Sequence, residues 1–271
     1  MNAILEGLRI VEGAAFVAAP LCGMTLAQQG ADVIRFDPLE GGLDARRWPV
    51  TARGKSLYWA GLNKGKRSLA VDTRSPEGRE LIVALITSPG EGNGIFLTNF
   101  PTSGWLGYDA LRQRRDDLIM MNVTGNPDGS SAVDYTVNCA LGFPFVTGPA
   151  HGAAAVNPVN HVLPAWDAVA GVTAALGILA AGRHRRLTSA GQLVKLPLAD
   201  VAFAMTGNLV FAFGGLLTLS LSRLLSAIRL KCLQRLQIHL ARLGQVRDVL
   251  MFVDLLATRF DSRQRKFGRP L

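Results

Sequence analysis

Cysteine, histidine and tyrosine are scarce here, with three, four and three copies in 271 residues. Cys22, Cys139 and Cys232 are widely spaced with no C-x-x-C pair, which excludes a disulfide framework and a zinc ribbon; reduced, structural thiols are expected. His151, His161, His184 and His239 share no metal-ligand spacing and no H-E-x-x-H occurs, so no metal site is expected. Without a G-x-S-x-G elbow or a Walker loop, the serine-hydrolase and P-loop classes also fall away. No basic leader runs into a long apolar segment at the start, because Glu6 and Arg9 already interrupt it, and a soluble cytoplasmic protein is expected.

Acidic residues are sparse where basic ones gather. From Gly214 onward there are eleven Lys and Arg against three acids, with no glutamate, whereas the first 213 residues are nearly neutral at +1 of the total +9. That pattern describes a basic tail rather than a basic groove, and nucleic-acid binding is not expected. Charge is missing altogether from Val201 to Ser222, a length that would span a bilayer. Gly207, Asn208, Gly214, Gly215 and scattered Thr and Ser make it a poor span, so a buried helix is expected there and no membrane partner.

What is present is a βα alternation with 49% hydrophobic residues, enough for a substantial core. Strands are expected over 8–12, 31–36, 68–72, 94–98 and 118–122, and helices over 19–29 and 76–87. Gly30 stands where a left-handed helix terminus is expected, and Ser75-Pro76-Glu77 is a helix start. Residues 126–160, rich in Gly, Pro and Asn, read as one long irregular loop. Asp167 reads as the cap of an Ala-rich helix over 168–181, followed by a strand over 192–199 and a helix over 201–213. This order predicts an α/β fold, a Rossmann-like parallel sheet flanked by helices.

The first βαβ unit ends in Asp37, as a dinucleotide-binding unit would, but the turn Gly13-Ala-Ala-Phe-Val-Ala18 supplies one of the three glycines that let a pyrophosphate approach. A nicotinamide or flavin site is therefore not expected. Two basic runs, Asn63-Lys-Gly-Lys-Arg67 and Arg183-His-Arg-Arg186, read from their residues as solvated turns.

Leu5-Glu-Gly-Leu-Arg-Ile-Val-Glu12, Gly30-Ala-Asp-Val-Ile-Arg35, Leu62-Asn-Lys-Gly-Lys-Arg-Ser-Leu-Ala-Val-Asp72 and Ser75-Pro-Glu-Gly78, in that order, resemble the N-terminal half of family III CoA-transferases. Thr98-Asn-Phe100 and Leu106-Gly-Tyr-Asp-Ala-Leu111 continue the likeness. The aspartate that heads an Ala- and Gly-rich helix, followed by Arg183 and Ser189-Ala-Gly-Gln192, is where the family carries its nucleophile; the resemblance implies that role for Asp167. It also implies CoA contacts at Val17 and Ala18, at Asp72, Thr73 and Arg74, and at Thr98, Asn99 and Phe100, with Arg74 as the phosphate partner. The stretch from Gly125 to Asp167 is similar to the branch that moves CoA between the two carboxyls of mesaconate; another family III transferase or racemase is the alternative.

On this likeness the substrate is an acyl-CoA, no separate cofactor is needed and the full-length family works as a homodimer. Residues 1–213 correspond to the family's large domain, and 214–271 read as a divergent basic Leu- and Arg-rich tail in place of a second domain. That break makes an inactive remnant the rival reading.

Overall fold

A computed structural model of the chain describes residues 3–148 and 157–208, which fall within one compact unit, Met1–Val210. The described residues form a six-stranded parallel sheet in the order β3-β2-β1-β4-β5-β6. Its strands are β1 (Arg9–Gly13), β2 (Asp32–Asp37), β3 (Arg67–Ala70), β4 (Ile95–Thr98), β5 (Ile119–Thr124) and β6 (Gln192–Pro197). The order reverses between the paired strands β1 and β4, and at such a switch point the loops leaving the carboxyl ends open a crevice for a ligand.

Side-chain alternation divides the core in two. Ile10, Val33, Leu97 and Met121 point to one face, where they meet α1 (Ala18–Gln28), α7 (Ala165–Thr188) and α8 (Leu198–Asn208). Val11, Phe36, Phe96 and Met120 point to the other, against Ile82, Val83 and Ile86 of α3 (Pro76–Ile86) and Leu111 of α4 (Tyr108–Arg112). With both faces covered, the strands tolerate near-continuous apolar runs. Helix α3 starts as its residues dictate, with the Ser75 hydroxyl accepting from Gly78 N–H at 2.9 Å and Pro76 in the first turn. Gly30 takes φ 105° after α1, the left-handed region where a side chain is costly.

Helices α1 and α7 approach closely because Gly171 lacks a side chain: a Cβ there would lie 2.8 Å from the Ala18 carbonyl oxygen and 3.0 Å from Leu21 Cβ. Helix α7 is long and apolar enough to cross a membrane. Here it is the core helix of the sheet, with Ala170, Ala174 and Ile178 buried.

Four expectations need correction. The 126–160 stretch holds α5 (Asp134–Ala140) and α6 (Phe143–Thr147) rather than one irregular loop. Asp167 does not cap α7; Pro164 is at the cap and Asp167 is already in the first turn. Neither basic run is simply solvated. The Lys66 side chain is buried, and its ammonium donates to Glu12, Pro20 O and Asn63 Oδ1, each at 2.8 Å. Arg185, near the end of α7, is buried and donates to the carbonyls of Asn93 at 2.8 Å and Glu91 at 2.9 Å. Burial outweighs charge in both cases because fixed acceptors replace water. The expected apolar helix over 201–213 is observed as α8 up to Asn208. The rest of that stretch, Cys232 and the basic tail lie outside the described residues.

Candidate active site

The crevice at the carboxyl ends of β1 and β4 is built by side chains that hold loops. Thr98 is fully buried and its hydroxyl donates to Gly13 O at 2.7 Å. Asn99 pairs with Ala15 twice, accepting from its N–H at 3.0 Å and donating to its carbonyl at 2.8 Å. The loop between β1 and α1 is pinned by these contacts, and Phe16 adopts φ 65°, a left-handed conformation uncommon for a bulky residue. Its N–H donates to the buried carboxylate of Asp44, in the loop after β2.

Of the residues expected to meet CoA, Val17, Ala18, Thr98, Asn99 and Phe100 gather at this loop. Ala18 is buried in the core, so that any ligand there meets its backbone. Asp72, Thr73 and Arg74 lie elsewhere along the same edge of the sheet, lining a cleft of about 390 Å³ with Pro38, Leu39, Glu40 and Gly41. The exposed Arg74 guanidinium stands 3.6 Å from Asp72 and 3.8 Å from Glu40.

Asp167 reaches the crevice by helix geometry. It lies one turn before Gly171, on the same face of α7, and Gly171 rests on Ala18. The small-residue contact therefore carries the Asp167 carboxylate to the β1–α1 loop. The Asp167 side chain is half-buried and meets no hydrogen-bond donor among the described residues. Burial lifts its carboxyl from the ordinary carboxylate range to about 7, the nearby Asp134 adds to the rise, and Arg47 opposes it. Arg47 is held in place by its surroundings: its guanidinium lies 4.3 Å from the ring centre of Tyr58, 5.9 Å from that of Phe16, and 3.5 Å from Asp44. The Tyr58 hydroxyl is buried with no partner among the described residues. Burial, then Asp44 and Asp167, push it up to about 12 against the pull of Arg47.

Sequence reasoning missed Phe16, Asp44, Arg47, Tyr58 and Asp134. Each joins the site through a tertiary contact, and no local spacing marks them. Among the described residues the arrangement presents a half-buried carboxylate without a donor, one cation facing it, and a pinned backbone loop beside it. Such a carboxylate suits nucleophilic attack on an activated acyl group.

The model of CoA-transferase family III matches residues 5–217. Over 210 residues the chain is 65% identical to the 2-methylfumaryl-CoA isomerase of Chloroflexus aurantiacus, covering 77% of this chain and 51% of that protein. It is 32% identical to the succinate–glutarate CoA-transferase of Agrobacterium fabrum over 75% of this chain and 53% of that protein. Among solved structures, a CaiB/BaiF family protein from Brucella suis superposes with a TM-score of 0.69 at 28% identity, covering 79% of this chain and 58% of that one. The chain thus spans about half the length of the curated relatives it matches.

Proposed function

Because the chain belongs to CoA-transferase family III, we propose that it provides the nucleophile-bearing half of a site that moves CoA from one carboxyl of mesaconate to the other. The observation that carries this reading is the Asp167 carboxylate, half-buried, without a donor among the described residues and opposite Arg47. The 65% identity to a 2-methylfumaryl-CoA isomerase supports this choice of acyl group.

One carboxylate oxygen of Asp167 attacks the thioester carbonyl of mesaconyl-CoA. The C–S bond breaks, the electron pair leaves on the CoA thiolate, and a mixed anhydride remains. The thiolate attacks the aspartyl carbonyl, releasing mesaconate as a carboxylate and leaving an aspartyl thioester. Mesaconate then presents its other carboxylate, and the same steps in reverse give the isomeric thioester and free Asp167. No proton is gained or lost overall.

Arg47 supplies the counter-charge for the carboxylate that is not reacting, and its ring contacts keep it in place without an ordering cost at binding. CoA lies across Val17, Ala18 and Thr98–Phe100, with its phosphates toward Arg74 in the cleft with Asp72 and Thr73. The working unit in this reading is a homodimer.

The test is turnover of mesaconyl-CoA in the presence of isotope-labelled free mesaconate. Isomer without label supports transfer inside one substrate molecule. Label in the thioester pool identifies exchange with an external acid, the chemistry named for the Agrobacterium relative.

A further inference from the structure

Helix α7 has a first turn that its own sequence cannot cap. Pro164 at the cap has no side-chain acceptor, so the N–H groups of Trp166 and Asp167, the two a capping side chain normally serves, need a partner from elsewhere. Asp134, from α5, is that partner: its Oδ2 accepts from Trp166 N–H at 2.7 Å and from Asp167 N–H at 3.1 Å. Asn138, one turn later on the same face of α5, accepts from the Trp166 indole N–H at 3.0 Å. Asp134 is 2% exposed, and its second carboxylate oxygen has no donor among the described residues.

We propose that Asp134 is the positioning residue of this site, capping α7 from a second element and holding a negative charge against the nucleophile. A neutral acceptor would satisfy the same two N–H groups. The charge does something further. Among the described residues, three groups face the Asp167 carboxyl: Asp134 from α5, Arg47 from the loop after β2, and Tyr58 from α2 (Leu57–Leu62). Asp134 is the one carboxylate among them, and repulsion between the two makes Asp167 more basic and hence a stronger nucleophile. When Asp167 attacks a carbonyl, its charge moves onto the substrate oxygen and away from Asp134, so the repulsion is relieved along the reaction. The same carboxylate fixes the backbone of Asp167 and so the direction from which it attacks. This assignment rests on the nucleophilic reading of Asp167.

The test follows the ionisation of Asp167 in the full chain labelled with carbon-13 at the aspartate carboxyls, its resonance identified by its loss in Asp167→Asn. In the unaltered protein the midpoint is expected near 7. Asp134→Asn keeps an oxygen acceptor for the two N–H groups and removes the charge, so the midpoint should fall by about one pH unit. Asp134→Glu keeps the charge and should leave it near 7. An unmoved midpoint in a folded Asp134→Asn overturns the proposal. If that variant does not fold, hydrogen exchange in the unaltered chain decides: protected amides at Trp166 and Asp167 support the cap, and exchange as fast as in an exposed loop overturns it. Neither measurement uses a thioester, so these results stand whether or not the chain turns over mesaconyl-CoA.

Discussion

Asp134 and Asp167 are 33 positions apart in the chain and share one helix terminus, the Oδ2 of the first accepting the N–H of the second at 3.1 Å. The contact couples a buried acid to the half-buried acid proposed as the nucleophile.

Asp167 makes the folded state favour the protonated carboxyl. Its folded value of about 7 lies above the ordinary 3.8, so the folded chain binds the proton more tightly, and stability present below pH 4 is lost as pH rises through 7. Asp167→Asn removes this cost. The variant should match the parent below pH 4 and exceed it above pH 7 by about 2 kcal/mol, roughly half of what the full shift would give, because the group is partly exposed. Thermal melts of both proteins across that range check the sign.

Arg47→Ala should weaken binding of a dicarboxylic acyl-CoA while sparing a monocarboxylic one. Loss of a charge-assisted pair of this kind raises KM about 10- to 100-fold with a smaller change in kcat. Steady-state kinetics with two thioesters that differ only in the distal carboxyl separates this role from a structural one. Equal losses on both would show that Arg47 serves the fold.

A buried ion cluster supports the loop that carries Asp44 and Arg47. Arg35 is paired bidentately with Asp37 at 2.8 and 2.9 Å and with Glu12 at 3.1 Å, and Glu12 also holds Lys66. Gly42 rests on this cluster, since a Cβ there would fall 2.3 Å from Asp37 Oδ1. Arg35→Ala leaves Glu12 and Asp37 without that cation and should cost about 3–5 kcal/mol in denaturant unfolding.

Much of the fold was legible in the sequence because it is local. Alternating apolar strands, Gly30 after α1 and the Ser75-Pro76 start of α3 carry their own instructions, and each expected strand lies within a residue or two of its observed position. The misreadings share a cause. Lys66, Arg185 and Asp134 are charged residues that each rely on partners at least 32 positions away: Glu12 for Lys66, the carbonyls of Glu91 and Asn93 for Arg185, and the N–H groups of α7 for Asp134. Local rules assign such groups to solvent, and tertiary structure overrides them. The role proposed for Asp167 comes from family likeness. From its spacing alone it is a helix cap, and in the fold it is not even that.

Gly171→Val should separate α7 from α1, because the new Cβ would press on the Ala18 carbonyl and on Leu21. The displacement carries Asp167 with it. A shift of about 1 Å in a reacting group costs on the order of 100-fold in rate, so activity should fall far more than secondary structure does. Circular dichroism and turnover measured together test this, and an active, folded variant would refute the placement argument.

A nucleophilic Asp167 must become covalently bonded during the reaction. Incubating the protein with mesaconyl-CoA, quenching with hydroxylamine and mapping the modified peptide reads this directly. A hydroxamate on Asp167, absent from Asp167→Asn, is the predicted result. Label on a different carboxylate, with Asp167→Asn still active, would contradict it.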